Sequence, residues 1–286
     1  MALFSDILLT ADFDRTLTDT HTKIPQRNVE AIRYFIENGG VFTVNTGRSV
    51  PMSRIYQDIV PVNAPLLLYN GSAWYDVEKR ELCHYYPIDL DPVQVIYDVQ
   101  SRFPGLNVEI QGEKKHYLYQ KRPMWEEYCV HNGCEWDYAE PDKTGPFIKF
   151  AIYGDFVSQN TSDMYENTKR EAELFRQADE YLRSAYGDKV DLFYACPRIL
   201  DVHAKGVSKL RTARDLQAHL GRKILVCVGD AENDLSMLEG ADYSFCPSDG
   251  IVADRFPNVC PCAEGSVAEV IYEKIPEILK IGLDKK

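Results

Sequence analysis

The sequence predicts an α/β protein: a doubly wound, Rossmann-like parallel-sheet core interrupted by an inserted α+β cap domain. Three observations predict it. Short apolar runs alternate with segments of helical period at the start of the chain, the same alternation returns at its end, and the stretch between them loses it. The pattern places the core in residues 1–86 and 196–286 and the cap in residues 87–195.

DILLTADFD is a short apolar run of strand length. Pro25 opens a helix in which Val29, Ile32, Phe35 and Ile36 recur at helical spacing, and Gly39 supplies its stop. Val41 to Asn45 is the second strand, a helix follows from about Pro51 to Ile59, and APLLLYNG is the third strand. WYDVEKRELCHYYP predicts a hairpin turning near Glu78 to Arg80. The irregular stretch then holds helices near Pro92 to Arg102 and Met124 to His131, and a hairpin around Gly112 to Lys115. It continues with the strand FIKFAIYG and a long charged helix from about Ser162 to Leu182, whose opposite charges at helical spacing mark a solvated face. Alternation resumes with the strand ILDVHAK, the amphipathic helix ending at Gly221 and the apolar strand KILVCVGD. A short helix (DLSMLEGA), the strand YSFCP and the helix SVAEVIYEKIPEILK close the chain.

The 286 residues are 45% hydrophobic, enough for a large core. With 32 Lys and Arg against 44 Asp and Glu, the net charge of −12 argues against nonspecific binding to nucleic acid or to an anionic membrane. MALFSDILLTADFD has neither a basic leader region nor an uninterrupted apolar span, so a cytoplasmic protein is expected. Of the eight cysteines, Cys83, Cys196 and Cys227 sit in strand-like runs, as reduced thiols do, and the lone C-x-C of Cys260 and Cys262 lacks a second ligand pair. Oligomeric state is not legible.

Ligands of open α/β sheets bind beyond the carboxyl ends of the strands. That rule selects DFDRT, NTGR, HAKGVSK and GDAENDLSML. The chemistry they suggest is phosphoryl transfer, which needs a cation on the phosphate oxygens, a positioned nucleophile and compensation of negative charge. Asp12 and Asp230 offer the hard oxygen ligands that Mg²⁺ prefers, and a carboxylate can also act as nucleophile through an aspartyl-phosphate. The Thr46 hydroxyl and the backbone N–H groups of Thr46, Gly47 and Arg48 can receive phosphate oxygens at a helix N-terminus. A lysine completes the charge balance.

On these motifs the chain resembles the haloacid dehalogenase-like superfamily, specifically its Cof-type branch with a type IIB cap. The resemblance covers Met1 to about Tyr86 and about Cys196 to Lys286. The family pattern D-x-D-x-T is here Asp12-Phe13-Asp14-Arg15-Thr16, which implies that Asp12 is nucleophile and Mg²⁺ ligand. It implies that Asp14 is the general acid/base and gives the metal its backbone carbonyl. Thr46 matches the second motif, and Gly229-Asp230-Ala231-Glu232-Asn233-Asp234 the fourth, so Asp230 is an implied metal ligand with Asn233 and Asp234 completing or supporting the shell. The family's G-V-S-K lysine falls on Lys209, which would be catalytic and phosphate-binding, and Lys205 is its rival.

The chain departs from the family at Arg15, where Gly is usual, and the turn must tolerate a side chain; Arg15 is expected to point to solvent, the alternative being an anion contact. Leu210 also replaces a usual Gly, and YSFCPSDG, with Ser248 and Asp249, replaces the family's last loop. Taken singly, each motif is an ordinary turn or helix cap. Their order and their common placement at strand ends argue for the joint reading. His203 is expected to be structural, and Tyr117, Tyr119, Trp125, Tyr128 and Trp136 to pack in a core.

The expected protein is therefore a Mg²⁺-dependent phosphatase of a small phosphorylated metabolite, such as a sugar phosphate, with cap closure excluding water during transfer. The alternatives are a sugar phosphomutase of the same branch and a non-catalytic sensor of a phosphorylated ligand.

Overall fold

Apolar runs bounded by turn residues form the strands, and segments of helical period cover them. The computed structural model describes residues 2–119, 121, 123–138, 147–154, 169–196 and 198–284. In chain order its strands are β1 (Ile7–Ala11), β2 (Val41–Val44), β3 (Leu66–Leu68), β4 (Ala73–Asp76), β5 (Glu81–Tyr85), β6 (Leu106–Gln111), β7 (His116–Leu118), β8 (Trp136–Tyr138), β9 (Lys149–Gly154), β10 (Val190–Cys196), β11 (Ile199–Ala204), β12 (Ile224–Val228), β13 (Tyr243–Pro247) and β14 (Asn258–Val259). The helices are α1 (Gln26–Glu37), α2 (Val50–Gln57), α3 (Pro92–Arg102), α4 (Pro123–His131), α5 (Lys169–Tyr186), α6 (Lys209–His219), α7 (Leu235–Gly240), α8 (Ser266–Glu269) and α9 (Ile275–Asp284). Part of the long charged helix predicted from Ser162 lies outside the described residues. Among the described residues no helix is long and apolar enough to cross a membrane.

The chain divides into two units. The first comprises Met1–Thr46, Tyr56–Cys83 and Ser208–Lys286. Its five-stranded sheet has the order β14-β13-β12-β1-β2, with every neighbour parallel. β1 is buried throughout and β12 nearly so, which is why both read as unbroken apolar runs. A parallel bridge from Asn45 to Leu67 carries the sheet onward to β3, which pairs antiparallel with β4. Leu8, Val41, Leu67, Leu216, Leu225 and Met237 share one apolar cluster under α6 and α7. From β1 the chain proceeds to β2 on one side, while β12 lies on the other, so the crevice at their carboxyl ends is a topological switch point.

The second unit comprises Gly47–Ile55 and His84–Val207. Its six-stranded sheet has the order β10-β11-β9-β6-β7-β8, and all the paired neighbours are antiparallel except β7 and β8. Period-two alternation gives the sheet two unlike faces. Val108, Ile110, Phe150, Ile152, Leu200 and Val202 join α3 and α5 in an apolar core. Their sequence neighbours Glu109, Gln111, Lys149, Asp201 and His203 are also buried, but on the opposite, polar side. Trp125 stacks on Tyr128 and Tyr153 at 4.5 and 3.7 Å between ring centroids, so this part of the aromatic cluster is core.

Three features differ from the sequence expectation. The sequence reading returns to the core at residue 196, whereas the units divide at Val207/Ser208, because β11 pairs antiparallel with both β10 and β9. The other junction lies at Cys83/His84, within β5, and not at residue 86. The segment Gly47–Ile55, which reads as part of the alternating core, groups with the second unit.

Gly71 follows β3 with φ +98°, and a Cβ there would lie 2.5 Å from the Ser208 carbonyl oxygen and 2.8 Å from Thr212 Cγ2. Gly71→Ala should destabilise the first unit by about 1–3 kcal/mol through left-handed strain and overpacking. A lowered urea midpoint checks this; an unchanged midpoint contradicts the close approach.

Candidate active site

The site grows from the ends of β1 and β12. The Asp12 amide still donates to Val228 O at 2.9 Å, so the sheet ladder fixes Asp12 immediately past the strand. The chain then turns tightly: the Leu17 and Thr18 amides donate back to the Asp12 and Phe13 carbonyls. The turn requires the left-handed conformation at Arg15, φ +57°, a cost of about 1 kcal/mol for a residue with a Cβ. Buried groups brace it from below. Ser266 Oγ donates to Thr16 O at 2.7 Å and Asn28 Nδ2 donates to Leu17 O at 2.9 Å.

Thr16, the last residue of the D-x-D-x-T motif, is buried, and its hydroxyl donates to Asp230 Oδ1 at 3.1 Å. The loop after β12 is shaped by Asp234, whose Oδ2 accepts the amides of Asp230 and Ala231 at 2.9 and 3.1 Å. That return explains Gly229, because a Cβ there would stand 2.6 Å from Asp234 Cγ. Lys209, at the first turn of α6 behind the Ser208 cap, is fully enclosed. Its ammonium donates to Asp12 Oδ1 at 2.7 Å and to Asp234 Oδ1 at 2.6 Å.

Lys205, the rival lysine, is half exposed and pairs with Asp191 at 2.7 Å, in the second unit. Thus the strand ILDVHAK does not bring a residue to the core sheet; α6 brings Lys209 instead. Of the two roles the resemblance leaves open to Asp234, the geometry favours support of the shell, since its oxygens bond Lys209 and backbone amides and brace the loop. Asn233 Nδ2 reaches Asn70 Oδ1 at 3.3 Å. Asn70, buried and left-handed at φ +53°, was not singled out by the sequence; its signal is the Y-N-G turn after an apolar strand.

Thr46 is buried at the end of β2, with its amide on Leu67 O and its carbonyl accepting from Asn70 N, both at 2.9 Å. Gly47 and Arg48 belong to the second unit, where the Gly47 carbonyl accepts from Lys149 Nζ at 3.1 Å. Arg15 does not simply point to solvent. Its Nε stands 3.7 Å from Asp230 Oδ2 and its Nη2 donates to Asp249 O at 3.4 Å. The Asp249 carboxylate is turned toward Cys262, accepting its amide and its thiol at 2.9 and 3.2 Å. His203 is fully buried, and burial followed by the Lys149 charge holds its imidazole well below its usual pKa, as a structural histidine requires.

The electrostatics of the site show a deficit of positive charge. Burial, reinforced by Asp234 and Asp14 against the pull of Lys209, raises Asp12 to about 7. Burial and the neighbouring Asp234 and Asp12 push Asp230 well above the ordinary carboxylate range. The Lys209 ammonium is disfavoured by burial, yet Asp12 and Asp234 raise its pKa above the usual value. Three buried carboxylates thus face one buried ammonium, with Arg15 at the rim. Oxygens of Asp12, Asp230 and Asp234 lie within 4.8 Å of one another, a hard donor set of the kind a small divalent cation takes. Since Asp234 is committed elsewhere, Asp12 and Asp230 fit the cation best.

The sequence pattern of the haloacid dehalogenase-like hydrolases matches residues 9–252. An uncharacterised hydrolase of Schizosaccharomyces pombe is 23% identical over 291 aligned positions, which span 92% of this chain and 89% of that protein. A 5-amino-6-(5-phospho-D-ribitylamino)uracil phosphatase of Bacillus subtilis is 21% identical, over 86% of this chain and 88% of its own. Among solved structures, a haloacid dehalogenase subclass IIB sugar phosphatase superposes with a TM-score of 0.72 at 18% identity, covering 94% of this chain and 99% of that one.

A carboxyl group whose pKa rises on folding keeps its proton in the native state while the unfolded chain has lost it, so its contribution to stability falls as pH rises between the two values. For Asp12 the window runs from the ordinary 3.8 to about 7. In metal-free buffer, the stability of Asp12→Asn relative to the wild type should therefore climb by about 1–4 kcal/mol from pH 4 to pH 7. Denaturant titrations at several pH values check this, and a difference independent of pH contradicts it.

Proposed function

Because this chain belongs to the haloacid dehalogenase-like hydrolases, we propose that it is a Mg²⁺-dependent phosphatase that hydrolyses a small phosphorylated metabolite through an aspartyl-phosphate on Asp12. The observation that carries the reading is the Asp12 carboxylate held at 2.7 Å by a buried lysine, beside Asp230, in a cluster short of positive charge. Binding alone requires no such nucleophile.

Asp12 is positioned by the end of β1 and by Lys209 on Oδ1, which leaves Oδ2 as the attacking atom. It attacks phosphorus, and the bond to the leaving oxygen breaks as Asp14 protonates that oxygen. Asp14 then takes a proton from water, which attacks the phosphoryl group and returns Asp12 as a free carboxylate with inorganic phosphate as product. Thr46 and the backbone amides that follow it orient the phosphate oxygens, and Lys209 compensates their charge. Bound by Asp12 and Asp230, with the Asp14 carbonyl, Mg²⁺ would supply charge neutralisation on the transferring group. One structural neighbour is a sugar phosphatase and one relative a phosphatase of 5-amino-6-(5-phospho-D-ribitylamino)uracil. That likeness, with the net charge of −12, favours a sugar or polyol phosphate over a nucleic acid.

The test is phosphate release from a panel of sugar and polyol phosphates, with Mg²⁺ and with EDTA. Release should require Mg²⁺, and Asp12→Asn should lower kcat by at least about 10³-fold with the fold intact. Metal-dependent turnover surviving in Asp12→Asn would remove the nucleophile assignment. Asp14→Asn should lower kcat while retaining metal affinity by calorimetry; a loss of affinity as deep as that of Asp230→Ala would refute an acid/base role.

A further inference from the structure

The polar face of the second unit's sheet carries a relay unconnected with any motif. Ser49 Oγ lies 2.6 Å from His116 Nε2, and His116 Nδ1 lies 2.6 Å from Glu109 Oε1. All three residues are fully buried. Glu109 also accepts from Gln111 Nε2 at 3.1 Å and from Cys129 Sγ at 3.7 Å. Burial alone would raise its pKa, but His116, then Gln111 and Lys149, hold it below the usual value, so it is an acceptor. The Glu109 carboxylate accepts a hydrogen bond from Nδ1–H, and in that tautomer Nε2 accepts from the Ser49 hydroxyl.

Serine, histidine and carboxylate occur in this order in serine hydrolases. Here the hydroxyl is enclosed and already caps α2, accepting the Met52 amide at 3.2 Å, so it is an anchor and not a nucleophile. A second anchor lies two residues earlier: Lys149 Nζ donates to Gly47 O at 3.1 Å and to Asp201 Oδ2 at 2.8 Å. Met52 adds an apolar anchor among Leu118, Trp125, Ala151 and Tyr153. The turn Gly47-Arg48-Ser49 is therefore pinned at both ends by directional bonds to one sheet. Apolar packing alone would leave its peptide planes free to rotate.

We propose that Ser49, His116 and Glu109, with Lys149, are positioning residues for substrate phosphate: they orient the amides of the turn that continues from Thr46. The proposal rests on the phosphatase reading, in which those amides receive the phosphate. Amides that bind phosphate alike in the ground and transition states act on KM and leave kcat in place. A purely structural role would instead lower the active fraction, and with it the apparent kcat, at constant KM.

The experiment compares wild type, Ser49→Ala and Ser49→Thr, the last retaining the hydroxyl, with His116→Gln as a second break in the relay. Steady-state release of phosphate from p-nitrophenyl phosphate in Mg²⁺ is measured together with hydrogen exchange of residues 47–52. Ser49→Ala and His116→Gln should raise KM ~10- to 100-fold with kcat within about threefold, and should speed exchange in the turn. Ser49→Thr should restore both. Unchanged KM and exchange in Ser49→Ala, with an active wild type, overturn the positioning role alone. A wild type that releases no phosphate from this compound or from the sugar phosphate panel overturns the phosphatase reading, and the positioning role with it.

Discussion

The bond between the Lys209 ammonium and its two carboxylates, Asp12 and Asp234, organises the first unit's site. A charge with no solvent exposure is tolerated only when paired, and removing one member of such a set typically costs about 3–5 kcal/mol. Lys209 comes from the start of α6, Asp12 from the end of β1, and Asp234 from the loop after β12. One ammonium thus ties three remote stretches of chain together. The surrounding details follow from it. Asp234 must fold back to meet the lysine, so its other oxygen gathers the loop amides, and Gly229 must lack a side chain to let it pass. The lysine falls short of neutralising the cluster, and that shortfall favours a divalent cation among these carboxylates.

Much of this site was legible because its parts are short motifs at the ends of apolar runs, where the backbone needs no distant information to aim them. Asp12, Thr16, Lys209 and Asp230 are of this kind. The preference for Lys209 over Lys205 came from the G-V-S-K resemblance, and the structure sets Lys209 at a helix start behind the Ser208 cap. What failed was the assignment of ILDVHAK to the core. The signal was present: Leu200 and Val202 alternate with Asp201 and His203, the period-two pattern of a sheet with unlike faces, whereas ILVCV in β12 is apolar without interruption. The partners of Asn70 and of Arg15 were invisible, since a lone polar residue becomes meaningful only when folding sets another beside it. The Ser49, His116 and Glu109 relay joins residues far apart in sequence and belongs to the same class.

Arg15 is a local rule broken at the site. Glycine adopts the left-handed conformation without strain, while arginine incurs a steric cost there and gains a cation near Asp230. The turn is over-determined by Thr18, Ser266 and Asn28, whose hydrogen bonds hold its backbone whatever residue occupies the position. Rigid bracing of this kind is what lets a strained conformer persist.

The chain passes between its two units at Thr46/Gly47 and Ile55/Tyr56 as well as at Cys83/His84 and Val207/Ser208. The second unit is consequently not a simple cassette with one entrance and one exit. Excising residues 84–207, or transplanting a cap from a relative between those points, would leave behind the short piece that carries Ser49 and Met52 and strip His116 and Lys149 of what they hold. Modular exchange would have to move the Gly47–Ile55 segment together with the larger block, so wholesale replacement of the second unit is constrained by a few residues embedded between stretches of the first.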